Sequence, residues 1–223
     1  MRLKATRIPF GKIKKTKIVT DTLGIQNTSE IPMEIVFEQV PRHLTFKVVP
    51  SVLKYKERGK IIATYDATKN EYGNSVDRIP IIMINDTVKT KGTIVVTATV
   101  EEDFSYMTEE DLANAPEIHF STKNYDFGSI EKGDTVSCKF IFENKGKSNL
   151  IIRNIKVRQG CSVGRFDKVL KPGKLGVIEI TFKAYAYKGR YRKNITVISN
   201  DPKNSSVTLK LSGNATRKHK DKK

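Results

Sequence analysis

The chain repeats itself. Slid by 117 residues, Phe10-Gly11-x-Ile13 falls on Phe127-Gly128-x-Ile130, and Lys15, Val19 and Asn27 fall on Lys132, Val136 and Asn144. Ile35 and Val40 fall on Ile152 and Val157, and Val52-Leu53-Lys54 on Val169-Leu170-Lys171. Gly59, Ile61, Thr64 and Ala67 fall on Gly176, Ile178, Thr181 and Ala184. Over residues 3–67 this makes fifteen identities without a gap, where chance at average composition gives about four. Two residues are then absorbed by a shorter hairpin, and Asn85-Asp86 meets Asn200-Asp201. A long-period repeat of this kind means two copies of one structural unit.

Each unit reads as β. In the second, strands are expected at 118–122, 134–144, 149–157, 174–184, 190–199 and 205–212, with short pieces near 125–130 and 166–170. Glu131-Lys-Gly-Asp, Asn144-Lys-Gly, Lys171-Pro-Gly, Lys188-Gly and Asn200-Asp-Pro punctuate them. Ile178, Ile180 and Phe182 alternate with Val177, Glu179 and Thr181, as a half-buried strand requires. Six or seven short strands in about 100 residues predict an all-β chain of two tandem immunoglobulin-like antiparallel sandwiches of about seven strands each. The expected layout is a sandwich at 1–103, a linker at 104–116, a sandwich at 117–215 and a basic disordered tail at 216–223. In the linker, Thr108 and Asp111 have the spacing of an N-cap pair, and Glu109 and Glu110 suit the start of a short helix.

Charge is uneven. The 223 residues carry +17, of which residues 1–103 hold +5, 104–116 hold −3, 117–215 hold +11 and the tail +4. A basic second half favours anionic partners such as lipid surface, glycan or nucleic acid, or serves as a lysine-rich soluble surface. No apolar run is long enough for a membrane-spanning helix. Met1–Lys17 is basic and lacks the apolar core of a secretory signal. A trimmed leader would leave the same start, so the expectation is periplasm or cell envelope if an export signal was removed, and cytoplasm otherwise.

The run from Ile118 to Val136, with Tyr125-Asp-Phe-Gly and Glu131-Lys-Gly-Asp, resembles the opening of a bacterial domain-of-unknown-function family, number 1573. Phe142-Glu-Asn-Lys-Gly-Lys-Ser-Asn-Leu-Ile-Ile, Leu170-Lys-Pro-Gly and Ile195-Thr-Val-Ile-Ser-Asn-Asp-Pro continue the likeness. The resemblance covers 117–213 well and 2–100 more loosely. It implies an immunoglobulin-like fold of the type grouped with hydin and major sperm protein, and a setting in exported proteins of Bacteroidota. It implies no enzymatic activity. Members often carry Cys-Gly-Cys after the third strand; here Gln159-Gly160-Cys161 keeps only the second cysteine.

The residues offer no catalytic motif. Gly-x-Ser-x-Gly, a P-loop and His-Glu-x-x-His are absent. His43, His119 and His219 are scattered and lack an evident carboxylate partner. No cofactor and no metal are expected. Cys138 shares an alternation with Val136, Phe140 and Phe142 and is expected to point inward, while Cys161 is expected in a loop, Arg158–Val163. Two buried or idle thiols are expected, with a disulfide joining core to loop as the alternative.

The most suggestive segment is Lys183-Ala-Tyr-Ala-Tyr-Lys-Gly-Arg-Tyr-Arg-Lys193. Lys183, Tyr185, Tyr187, Lys188, Arg190, Tyr191, Arg192 and Lys193 combine cations with aromatic rings, as an anion- or glycan-binding rim needs. The same residues also suit a hairpin whose rings cover a sheet edge. Thr22, Thr87 and Thr135 follow Asp and precede an aliphatic residue, the pattern of periplasmic O-glycosylation in Bacteroidota. The expected function is a non-enzymatic protein-interaction or structural module of the bacterial envelope, with an unknown protein as partner. The alternatives are a two-domain immunoglobulin-like assembly chaperone, to which Val207, Leu209 and Leu211 would lend an apolar strand, and a binder of nucleic acid or another anionic polymer.

Overall fold

The structure, a computed structural model, describes residues 2, 3, 6–84, 89–185 and 189–217. The chain divides into two compact units, Met1–Asp103 and Phe104–Lys223. The first holds β1 (Arg2–Leu3), β2 (Arg7–Lys14), β3 (Ile18–Gln26), β4 (Met33–Phe37), β5 (Leu44–Val49), β6 (Val52–Leu53), β7 (Arg58–Asp66), β8 (Gly73–Ile84) and β9 (Lys89–Glu101). The second holds α1 (Glu109–Ala113), β10 (Ile118–Phe120), β11 (Asn124–Glu131), β12 (Thr135–Asn144), β13 (Leu150–Lys156), β14 (Cys161–Phe166), β15 (Val169–Leu170), β16 (Leu175–Lys183), β17 (Gly189–Ser199) and β18 (Ser206–Thr216).

The two units have one topology. Unit one pairs its strands as β1-β3-β7-β5 and β2-β9-β8-β4-β6; unit two pairs them as β10-β12-β16-β14 and β11-β18-β17-β13-β15. Adding nine to each label of the first gives the second. The fold is all-β, with a four-stranded and a five-stranded sheet in each unit. Nine strands replace the expected seven, because two-residue edge strands and β14 also pair. The sheets are not wholly antiparallel: β2 runs parallel to β9, and β11 parallel to β18. Thr216, expected in a loose tail, pairs with Glu131.

Each unit has its own core. In unit two Phe140 and Phe142 of β12 and Phe182 of β16 meet Ile195 of β17 and Leu209 of β18, all fully buried. In unit one Tyr65 is the largest fully buried side chain, packed with Ile61, Ile79 and Ile94. Burying each such side chain contributes about 1.5–3 kcal/mol, so aromatic rings and Ile fill the space without Trp. Gly59 and Gly176 are repeated because a Cβ there would meet Val49 O at 2.8 Å, and Leu170 and Phe142 at 2.9 Å.

One buried side chain organises the same loop in both units. Asn27 Nδ2 donates to Ile31 O and Leu53 O, both at 2.9 Å, and its Oδ1 accepts from Ser29 N at 2.9 Å. Asn144 Nδ2 donates to Ser148 O at 2.8 Å and Leu170 O at 2.9 Å, and its Oδ1 accepts from Gly146 N at 3.1 Å. In unit two the buried Asp201 adds a second clamp. Its carboxylate accepts from Ile118 N at 2.9 Å, Lys203 N at 2.8 Å and Asn204 N at 3.0 Å. Segment 104–116 carries the expected cap: Asp111 N donates to Thr108 Oγ1 at 3.2 Å, and Thr108 N to Asp111 Oδ2 at 2.8 Å. These hydrogen bonds hold the Asp111 carboxyl below its ordinary range. Lys147 N donates to Ala115 O, so the segment is tied to the second unit.

Candidate functional site

The expected hairpin at 183–193 is not formed: β16 and β17 belong to different sheets, and the segment joins them. Strand β17 begins with alternate residues inward. Tyr191 and Lys193 point in; Arg190 and Arg192 are exposed. Lys193 sits over three rings, 5.2 Å from the Tyr185 centroid, 5.6 Å from Tyr191 and 5.9 Å from Phe182. Its ammonium donates to Gln159 O at 2.7 Å and to Tyr185 Oη at 3.4 Å. Tyr191 meets Phe182 and Tyr185 edge-on at 5.1 and 6.0 Å. Gly160, with φ +88°, makes room for Tyr185: a Cβ there would stand 2.8 Å from its ring. A cation over several rings is attracted by their quadrupoles, so Lys193 ties β17 to the end of β16 across the two sheets.

This corrects part of the expected rim. Tyr191 is 3% exposed and belongs to the core. Lys193 is spent on the clamp. Lys183, Arg190 and Arg192 are exposed, and Tyr185 is 42% exposed. Tyr187 and Lys188 lie outside the described residues.

The equivalent place in unit one holds a polar network instead. His43 Nε2 is 3.1 Å from Asp77 Oδ2. The carboxylate only accepts, so Nε2 carries the hydrogen. Ser75 Oγ donates to the same oxygen at 2.7 Å, and Tyr65 Oη donates to Ser75 Oγ at 3.3 Å. Asn70 Nδ2 donates to Tyr65 Oη. The Lys15 ammonium, nearby, donates to the carbonyls of Ala67, Thr68 and Asn70. Burial holds the Lys15 pKa below its ordinary value. The expectation that His43 lacks a carboxylate partner is therefore overturned: Asp77, 34 residues away, was invisible as a neighbour. The chemistry is structural. Ser75 and His43 both donate to Asp77, so no imidazole stands ready to take the Ser75 proton, as nucleophilic catalysis requires.

Cys138 is buried, as expected; Cys161 opens β14 and is not in a loop. Both are free thiols. β12 and β14 flank β16, with Cys138 beside Ile180 and Cys161 beside Phe182. Two strand spacings separate them by about 10 Å, beyond disulfide reach. Burial pushes the Cys138 thiol up to about 11, with Cys161 adding to the shift. Burial also raises Cys161, against the pull of Lys193. Neither is an activated nucleophile. Among the described residues no group of three His, Cys, Asp or Glu could hold a metal, and no helix is long and apolar enough to cross a membrane.

Thr22 and Thr135 are exposed. Thr22 lies within β3, not at a turn, opposite Ile62; Thr135 opens β12. Thr87 and His219 lie outside the described residues, and His119 is exposed in β10. Val207, Leu209 and Leu211 are buried in the second core.

Residues 118–215 match the family described as Protein of unknown function (DUF1573). The DUF1573 match spans β10 to nearly the end of β18. No curated protein matches the chain. A protein of unknown function from Porphyromonas gingivalis W83 is similar in structure over 96% of this chain and 98% of its own, with TM-score 0.70 and 16% identity. That likeness carries the fold. PapD-like domain 7 of human CEP192 aligns over 51% of this chain and 93% of its own, with TM-score 0.38 and 18% identity. The Pseudomonas aeruginosa CupB2 chaperone aligns over 94% and 98%, with TM-score 0.34 and 14% identity.

Proposed function

We propose that the chain is a non-enzymatic protein-interaction or structural module of the bacterial cell envelope, built from two copies of one DUF1573-type unit. The shared strand order and the repeated Asn27 and Asn144 support the second copy. The observation that carries an interaction role is the Lys193 clamp. It fixes the start of β17, where the chain has crossed from one sheet to the other, while Lys183, Arg190 and Arg192 stand exposed, without an acidic partner among the described residues. A rigid cationic surface beside the half-exposed Tyr185 ring suits an acidic protein partner, since Arg and Tyr anchor interfaces well.

The test is capture from the source organism by the immobilised chain and by Arg190→Glu/Arg192→Glu. The variant is expected to melt within a few degrees of the parent, because exposed substitutions cost under about 0.5 kcal/mol, and to lose the partner. Unchanged capture removes the site. Heparin and a single-stranded oligonucleotide are titrated alongside. Tight binding of either that falls steeply with salt would replace the protein partner with an anionic polymer. Native fractionation with the intact mass of the mature protein tests the envelope placement, and added hexose mass tests Thr22 and Thr135.

A further inference from the structure

Eight strands lie at sheet edges. β1, β6 and β15 are two residues long and β10 three. β2 and β11 are each interrupted by a bulge, at Gly11 and Gly128. β14 carries a bulge between Val163 and Phe166. Among the described residues β5 alone is longer than three residues and keeps an unbroken register, from Leu44 opposite Tyr65 to Val49 opposite Lys60. Short or bulged edges resist pairing with another chain, whereas a regular edge invites it.

The unpaired groups on this edge are identifiable. Asp66 N donates to His43 O at 2.8 Å, which sets the alternation. Thr45, Lys47 and Val49 therefore turn their N–H and C=O toward β7, and Phe46 and Val48 turn theirs outward. The side chains of Phe46 and Val48 are half-buried along a seam facing β4. There Phe46 stacks on Phe37, centroids 4.5 Å apart and planes 7° from parallel. Ile35, Ser51 and the charged Glu34 and Lys47 complete a recess of about 390 Å³. The seam stays open because β6 pairs with β4 only at Met33 and Glu34. At the matching positions unit two has Asn154, Val163 and Arg165, so the apolar seam belongs to unit one.

Outward N–H and C=O groups on alternate residues ask for an extended backbone, and stacked phenyl rings ask for an apolar side chain at every second position. The intervening side chains would lie on the outer face beside the exposed Lys47, with Lys60 opposite Val49. A second copy fits poorly. Antiparallel self-pairing through Phe46 and Val48 sets Lys47 directly against its own copy, a like-charge pair.

We propose that β5 of the first unit is a strand-addition site for an extended segment of another protein, apolar at alternate positions and acidic between them. This rests on and deepens the interaction-module reading, at a strand of the first unit and not at the 183–193 segment of the second.

The probe is an acetylated octapeptide of alternating Val and Asp, with alternating Val and Lys as its counterpart, added to the full chain. Amide exchange is followed by NMR. The expected result is slowed exchange at Phe46 and Val48 with the Val-Asp peptide, binding about fivefold tighter than Val-Lys. Lys47→Glu should invert that order, and Val48→Pro, which removes one outward N–H, should abolish binding. No protection at Phe46 and Val48 with the peptide at about 1 mM, or equal binding of the two peptides, overturns the proposal. So does reversible dimerisation through β5 seen by sedimentation, which would make the occupant a second copy. Protection confined to the 183–193 segment overturns the strand site and leaves the cationic-surface reading standing. Loss of partner capture in Arg190→Glu/Arg192→Glu tests the cationic surface alone, since that variant keeps β5 intact.

Discussion

Asp77 and Lys193 occupy the same inward-facing position of equivalent strands. The registers of β8 on β9 and of β17 on β18 place Gly73 with Gly189, and four residues on, Asp77 with Lys193. Tyr65 likewise matches Phe182, and His43 matches Gly160. One unit settles this spot with a carboxylate that collects hydrogens from His43 and Ser75; the other settles it with an ammonium over three rings. Both are ways of keeping a half-buried charge partnered. The fold thus holds a polar position constant while its sign and partners change.

Removing the carboxylate should be felt only in unit one. Asp77→Ala leaves His43 Nε2 and Ser75 Oγ without their acceptor, at a cost of about 1–3 kcal/mol. Asp77→Asn keeps one acceptor oxygen and should cost less. Denaturant unfolding followed by amide exchange at β8 and at β17 separates the units. Equal loss of protection at β17 would show the effect is not local.

Lys193→Met should loosen the crossover between β16 and β17. It forfeits the bond to Gln159 O and the ring contacts, about 1–2 kcal/mol together. Exchange at Gly160 and Tyr185 should quicken, and the Tyr185 ring should gain accessibility to a nitrating reagent. A variant as stable as the parent, with Tyr185 unchanged, would show that the rings alone hold the crossover.

The repeat made the sandwich legible. Several of the fifteen matching residues sit at buried, bulged or crowded positions, where geometry tolerates few alternatives: Asn27 and Asn144, Gly11 and Gly128, Gly59 and Gly176. What escaped was pairing across the chain. His43 and Asp77 meet because β8 crosses beneath the loop before β5, and no local spacing encodes that. The start of β14 does not read as a strand, because Gly164 interrupts its alternation and a bulge between Val163 and Phe166 shifts its register. The charged neighbours of Tyr191 suggest a rim, yet strand alternation turns it inward. A period-two reading begun at Ile195 and run backward would have found it. The β5 edge was hidden for another reason: Leu-Thr-Phe-Lys-Val-Val reads as an ordinary strand, and only the sheet order shows that one side is unpaired.

The two asparagine clamps should cost alike and add. Asn27→Ala and Asn144→Ala each delete two donated bonds and leave buried carbonyls unpaired, about 2–3 kcal/mol apiece. Because they lie in separate cores, the double variant should lose the sum within about 0.5 kcal/mol. Calorimetry with two resolved transitions checks this. A single merged transition would mean that the units unfold as one, and a strongly non-additive double variant would mean that the two clamps are coupled.

The two thiols supply the pH dependence. Cys138 has its pKa raised from 9.0 to about 11 by burial. The protonated form is favoured in the folded state, so this contribution to stability is complete below pH 9 and is lost as pH rises through about 11. Cys161 is raised in the same direction, with Lys193 opposing the shift. Two observations check the assignment. Labelling of native Cys138 by an alkylating reagent should climb about tenfold per pH unit between pH 8 and 10 and level off near 11, while the unfolded chain levels off near 9. Lys193→Met should slow native labelling of Cys161 at pH 8, because it removes a cation that favours the thiolate. A Cys138 that labels at neutral pH as fast as a free thiol would show that its side chain is not held among Phe140, Ile180 and Phe182.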